Sequence, residues 1–210
     1  MEQKNYWDQV SGSKEFTTPF QAAEFERYVG KDGAVLDVGC GYGRTLEELY
    51  RLGYRRLTGI DFSAGMIERG RKQFPWLDLR VKEGEGIDLP DESVDAVILF
   101  AVLTCIAGNR EQEALIEEIR RVLKPGGILY VNDFLLNDDD RNIERYTAFV
   151  SKYGTYGVFE LPEGAVCRHH EETWIHALLS GFQSLQYERL TFTTMNGHRS
   201  NGFYCIVRRP

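Results

Sequence analysis

The stretch Asp37-Val38-Gly39-Cys40-Gly41-Tyr42-Gly43 has the residue types of a ligand cradle. Glycines at alternate positions let the backbone pass close to a bound group with no Cβ in the way. The amide N–H groups that open the following helix suit a polar or anionic moiety. The spacing is G-x-G-x-G and not the G-x-G-x-x-G of dinucleotide sites, so the turn alone specifies a nucleotide-like ligand and no more. Asp61, at the end of the next apolar run, is placed to take two hydrogen bonds from a ribose diol. Both features fall where open α/β sheets bind ligands, beyond the carboxyl ends of the strands.

The candidate general bases are His169, His170, His176, His198 and Tyr6. An ordinary imidazole pKa near ~6.5 suits proton transfer at neutral pH. His169 and His170 precede a predicted helix in the region that should cap the sheet, and with Tyr6 they are the preferred set. His176 reads as structural, in mid-helix beside Trp174, and His198 lies in a hairpin loop. Cys40, Cys105, Cys167 and Cys205 stand at long spacings without a Cys-x-x-Cys pair. No metal site is therefore expected. Reduced thiols and a cytoplasmic location are the simplest expectation, and Cys40 reads as a small buried filler.

These residues need elements to hold them. A chain of 210 residues, 42% hydrophobic and 27% charged, can bury a full core as one soluble domain. No run of about 18 apolar residues suggests a membrane span, and residues 1–10 lack the pattern of a signal peptide. A net charge of −7 argues against a nucleic-acid-binding face. Arg51, Arg55 and Arg56, and the Arg208-Arg209 pair, read as solvated surface. Apolar runs at 34–38, 56–61, 77–82, 94–100 and 128–132 alternate with helical patterns, which predicts a parallel sheet with crossover helices. Ser63 is the expected N-cap of the second helix. Lys124-Pro125-Gly126-Gly127 should end a helix and turn into the fifth strand.

The pattern changes after Asp133. Asn137 to Asp140 reads as a helix start, since carboxylates favour that end of the dipole. Residues 146–166, rich in glycine and aromatics and without a clear period, read as an inserted cap or substrate loop. Residues 171–179 are helical. Two alternating stretches at 185–194 and 202–207, with Asn196-Gly197 and Asn201-Gly202 between them, predict a terminal hairpin antiparallel to the rest of the sheet. The expected fold is α/β, a Rossmann-like seven-stranded mostly parallel sheet with a C-terminal antiparallel β-hairpin and helices on both faces. Within one domain spanning 1–210, residues 1–30 would be a lid segment and 31–133 the ligand-binding core. Residues 134–182 would form a cap or substrate insertion, and 183–210 the terminal hairpin.

Four motifs in order carry a more specific resemblance: 35–43, Gly59-Ile60-Asp61-Phe62-Ser63, Gly84 to Pro90, and Arg121 to Gly127. At this spacing they resemble the class I S-adenosylmethionine-dependent methyltransferases, in the UbiE/type-11 small-molecule group. The resemblance covers roughly residues 30–135. It implies that Gly39, Cys40 and Gly41 line the methionine part of the cofactor S-adenosylmethionine, with Asp37 orienting the loop and the amino group. It implies that Asp61 binds the ribose hydroxyls, that Phe62 and Met66 lie against adenine, and that Glu85 and Gly86 meet its edge. Phe100, Ala101 and Val102 would run past the methionine and the sulfonium. Two positions depart from the family. Glu85-Gly86 stands where Asp-Ala is usual, and Thr104-Cys105 supplies no imidazole after the fourth strand. Residues 100–103 also lack the Asn/Asp-Pro-Pro-Tyr of enzymes that modify base or amide nitrogens.

The implied activity is in-line methyl transfer to a small-molecule acceptor, with S-adenosylhomocysteine as product. Positioning would supply most of the rate. A His or Tyr base would be needed only for a protonated acceptor. Methylation of protein or RNA is the alternative. Neither a nucleic-acid nor a membrane partner is expected, and the chain would act as a monomer or homodimer.

Overall fold

The computed structural model describes residues 3–84, 86–194 and 197–210. In chain order the elements begin α1 (Gln3–Val10), α2 (Ala22–Glu26), β1 (Ala34–Val38), α3 (Arg44–Arg51), β2 (Arg56–Asp61), α4 (Ala64–Gln73), β3 (Asp78–Val81) and β4 (Val94–Phe100). A 3-10 turn (Leu103–Cys105) then leads to α5 (Asn109–Val122), β5 (Leu123–Phe134), α6 (Asp140–Tyr153), β6 (Val158–Glu160), β7 (Val166–Arg168), α7 (Glu172–Leu178), β8 (Gln183–Thr193) and β9 (Arg199–Arg208). One seven-stranded sheet has the order β3-β2-β1-β4-β5-β9-β8, and β6 and β7 form a separate ladder.

The middle of the sheet reads as buried on both faces because it is. β1 and β4 are near-continuous apolar runs, the signature of parallel strands covered by helices above and below. Leu36, Val38, Val97, Leu99, Leu129 and Val131 pack on one face against Ile116 and Ile119 of α5 and Ile175 of α7. Val35, Ala96, Ile98, Ile128 and Tyr130 pack on the other face with Phe25 of α2, Leu46 and Leu49 of α3, and Ile67 of α4. Ser63 caps α4 as expected, its Oγ accepting from Met66 N at 3.1 Å. β1 pairs in parallel with β2 and β4, so Asp37 and Asp61 both end at the carboxyl edge of the sheet.

Four local expectations are corrected. The helix α5 ends at Val122, and extended backbone begins at Leu123. The ladder steps from Val94↔Leu123 to Ala96↔Ile128, so residues 124–127 leave it. They pair instead with Arg209, which accepts from Gly126 N and donates to Gly127 O, both at 2.9 Å. Residues 146–153 are not loop but the second half of α6. That helix is capped by Asp139 at its start and by Gly154 at its end, where φ is 68°. It buries only Asn142 and Tyr146, so it carries no apolar stripe to betray it.

Asn201-Gly202 is not a turn but lies inside β9, opposite Phe134 on one side and Leu190 on the other. The Phe192 ring fills the place a Cβ would take at Gly202. Asn196 lies outside the described residues. Finally, within the seven-stranded sheet β9 alone runs against the direction of the other strands. β8 pairs antiparallel with β9 at the outer edge and so points the same way as β5.

Candidate functional site

The glycine turn leaves β1 with Gly39 at φ 73° and Gly41 at φ 55°, in the left-handed region. Gly39 N and Cys40 N both donate to Ile60 O, at 2.8 and 3.1 Å, which ties the turn to β2. A Cβ on Gly39 would lie 2.4 Å from Val102 Cγ2, and one on Gly41 would lie 2.5 Å from the Phe16 ring. A side chain at either position would therefore have to displace Val102 or Phe16 and adopt a left-handed backbone.

Asp61 is anchored by the same turn. Its Oδ2 accepts from Gly41 N at 2.9 Å and its Oδ1 from Ser63 N at 2.8 Å. A carboxylate has about four acceptor sites, so each oxygen keeps a lone pair for a ligand hydroxyl. Burial raises the Asp61 carboxyl above its ordinary range, against the pull of those two N–H groups. Asp37 is 2% exposed. Its Oδ1 has no hydrogen-bond partner within the protein. Burial pushes its pKa up to about 7, with Asp61 adding and Arg44 opposing. A buried acceptor without a donor costs about 1–3 kcal/mol, and a ligand cation would relieve it.

Asp37, Gly39, Cys40, Gly41 and Asp61 line one end of a cleft of about 510 Å³. Phe62, Met66, Phe100, Ala101 and Val102 complete that end, so these sequence-predicted residues come together. Ala101 sits at φ 55°, a strained backbone for a residue with a Cβ. Cys40 is buried and its thiol is pushed well above its ordinary pKa, which suits a filler and not a nucleophile. Gly86 is exposed and does not line the cleft; a Cβ there would face the Glu118 carboxylate. Glu85 lies outside the described residues. Among the described residues no group of His, Cys, Asp and Glu could hold a metal ion.

The N-terminal segment crosses this end. Asp8 Oδ1 accepts from Ser63 Oγ at 2.7 Å and from Gly65 N at 3.0 Å, docking α1 on the start of α4. Phe16 lies over Gly41 and stacks on Tyr42 with centroids 5.1 Å apart. Tyr6 and Trp7 also line the cleft. Burial raises the Tyr6 hydroxyl to about 12, so at neutral pH it is a hydrogen-bond donor and not a base.

The two candidate histidines part company. His169 lines the cleft, 6% exposed, with Phe134 stacked on its ring at 5.5 Å. Its Nδ1 meets Tyr146 Oη at 2.6 Å and Asn137 Nδ2 at 3.1 Å. The Asn137 amide is fixed, because Nδ2 donates to Leu135 O at 3.0 Å and Oδ1 accepts from Asn201 N at 2.8 Å. With the amide donating to it, Nδ1 accepts, and that tautomer carries its proton on Nε2. Burial holds the ring neutral, well below the ordinary pKa. His169 thus offers the cleft an N–H, where a general base would need a lone pair.

His170 does not line the cleft. Its Nδ1 donates to Phe134 O at 3.1 Å and its Nε2 accepts from Gln112 Nε2 at 2.9 Å. Burial lowers it to about 3. It is a fully engaged structural group, and its adjacency to His169 in sequence misleads, because successive extended residues point to opposite sides. His176 packs on Tyr187 away from the cleft. His198 is exposed at the rim of the cleft. Sequence reasoning missed Arg44, Asn137, Arg145 and Tyr146. Arg44 Nε is buried without a partner at the cleft wall. The i, i+4 pair Arg141 and Arg145 on α6 was the available signal for the far end.

Comparison with known proteins bears on this geometry. The family described as a methyltransferase domain matches residues 36–131. A malonyl-[acyl-carrier protein] O-methyltransferase of Yersinia pestis is 38% identical over 95 residues, 45% of this chain and 34% of that one. A demethylmenaquinone methyltransferase of Tropheryma whipplei is 35% identical over 103 residues, 48% of this chain and 41% of that one. The chain spans between about a third and a half of the length of the curated relatives it matches first. The crystal structure of an S-adenosylmethionine-dependent methyltransferase from Methanosarcina mazei superposes with a TM-score of 0.85 at 25% identity, covering 92% of this chain and 99% of that one. The matched domain, the ordered motifs and the shared fold agree: residues 36–131 match the methyltransferase-domain family, and the chain shares its fold with an S-adenosylmethionine-dependent methyltransferase of known structure.

Proposed function

We propose that the protein transfers the methyl group of S-adenosylmethionine to a small-molecule acceptor held in the same cleft. The observation that carries this reading is the unpartnered Asp37 Oδ1, buried beside a glycine turn where a Cβ would have to displace Val102 or Phe16. Asp37 would hold the ammonium of the methionine moiety, and the spare lone pairs of Asp61 would hold the ribose hydroxyls. Phe62 and Met66 would face the adenine, and Phe100, Ala101 and Val102 the methionine chain. The bound sulfonium supplies an activated methyl group, so the chain's own task is to align an acceptor and exclude water. Tyr6, Trp7 and Phe16 would close the cleft from above. Tyr6 and His169 would orient the acceptor as hydrogen-bond donors, leaving the methyl-accepting atom its lone pair.

The decisive experiment is calorimetric titration with S-adenosylmethionine and S-adenosylhomocysteine. Failure to bind either ends the reading. Incubation of cell extract with methyl-labelled donor, sorted by size, then separates the acceptor classes. Label in small molecules supports the proposal, and label only in protein or RNA replaces it with macromolecular methylation.

A further inference from the structure

We infer that the part of the cleft built by residues 134–200 is an anion site, made for the carboxylate of an otherwise apolar acceptor. The inference rests on the methyl-transfer reading and narrows its substrate. Arg145 reaches into the cleft from α6, with its guanidinium carbon 3.5 Å from the centroid of the Phe159 ring. Stacking occupies the face of the group and leaves its N–H donors, which lie in the plane, pointing sideways. Its Nε is buried and has no hydrogen-bond partner. Among the described residues no carboxylate forms an ion pair with Arg145.

Glu160 is the acid that lines this part of the cleft, and it is already taken by Lys152 and by Tyr153 Oη at 2.7 Å. Arg141, one turn earlier on α6, also lines the cleft, and among the described residues its ion-pair partner is Asp139 at 3.8 Å. His169 adds the Nε2–H argued above. Arg145 has Tyr146 as a side-chain hydrogen-bond partner, but among the described residues no carboxylate here is left to meet these donors and charges. An unpaired, half-buried cation is costly, and a ligand anion would offset it.

The rest of the wall selects which anion. Phe134, Phe159, Leu161, Pro162, Ala165 and Val166 are apolar, so the body of the ligand is hydrocarbon or aromatic. A planar guanidinium fork matches a planar carboxylate with two parallel hydrogen bonds. The cleft therefore fits an amphipathic carboxylic acid, anchored by Arg145 at its charged end.

The test titrates protein saturated with S-adenosylhomocysteine with phenylacetate, hexanoate, their neutral amides, and phenyl phosphate. Phenylacetate and hexanoate should bind at least about tenfold tighter than phenylacetamide and hexanamide, the worth of one charged hydrogen bond. Arg145→Met keeps the apolar stem over Phe159 and should erase that preference, and Arg145→Lys should keep part of it. Both variants should bind S-adenosylhomocysteine as the parent does, which shows that they fold. Equal binding of acid and amide, a preference that survives Arg145→Met, or no binding of either acid at millimolar concentration overturns the inference. Tighter binding of phenyl phosphate than of either acid overturns the carboxylate assignment. Failure of the parent to bind S-adenosylhomocysteine would instead sink the methyl-transfer reading itself.

Discussion

Cofactor binding should expel a proton from Asp37. In the ligand-free protein burial holds this carboxyl near pKa 7, so at pH 6 it is largely protonated. An ammonium ion placed against Oδ1 favours the carboxylate and returns the pKa toward the ordinary ~3.9. Ligand affinity then falls as pH drops below 7, because binding must first remove the proton. The apparent Kd rises by 1 + 10^(7−pH), about tenfold at pH 6 and about a hundredfold at pH 5. Between about pH 5 and 7 the amino and carboxyl groups of S-adenosylhomocysteine keep their charges, so the slope reports the protein.

Calorimetry in two buffers of different ionisation enthalpy counts the proton directly, and close to one should leave per ligand bound at pH 6. Asp37→Asn should bind weakly at pH 8 and lose this slope. A slope steeper than one assigns the excess to Asp61, whose carboxyl is raised in the same way. A pH-independent Kd with no proton released, or the full slope retained in Asp37→Asn, refutes the assignment of Asp37 to the cofactor ammonium.

Asp61→Ala should weaken S-adenosylhomocysteine binding by about a hundredfold, since two hydrogen bonds to a charged group are worth ~3 kcal/mol together; a Kd within threefold or so of the parent, read by the same titration, contradicts the ribose role. Gly39→Ala should abolish binding, because its Cβ meets Val102 Cγ2 at 2.4 Å on a left-handed backbone. Adding Val102→Ala should recover part of the affinity, with a residual strain of ~1 kcal/mol. His170→Gln should change how stability responds to pH. The folded protein holds His170 neutral down to about pH 3, while the unfolded chain protonates it below ~6.5. Its burial therefore makes stability fall as pH drops through that window, by ~1.4 kcal/mol per unit. Asp133 and Asp37, raised to about 7, act with the opposite sign, since the folded state keeps protons that the unfolded state has lost. Denaturant titrations of the ligand-free parent and variant from about pH 4 to 6 should differ in slope by that amount, and parallel curves would show that His170 is not buried neutral.

The parallel core was legible because its strands are buried on both faces and read as near-continuous apolar runs, as at 96–100. The glycine turn was legible because a close backbone approach leaves few alternatives to glycine. What escaped was whatever depends on partners distant in the chain. α6 shows no stripe because it buries only Asn142 and Tyr146. The direction in which His169 offers its proton is decided by Tyr146, Asn137 and, through Asn137, by Asn201, and no local pattern couples these positions. Arg44 looks like a solvated charge on the first turn of α3 until Thr18, from the crossing N-terminal segment, accepts from its guanidinium at 2.8 Å.

That crossing segment bears on timing as well as on fit. Asp8 is bonded to Ser63 and Gly65, and Phe16 covers Gly41. These contacts hold residues 3–18 as a strap across one end of the cleft. The strap must open for a ligand to enter or leave, and the same bonds break in both directions. On the methyl-transfer reading, residues 3–18 would slow exchange in both directions and so set how long a spent cofactor stays before the next turnover.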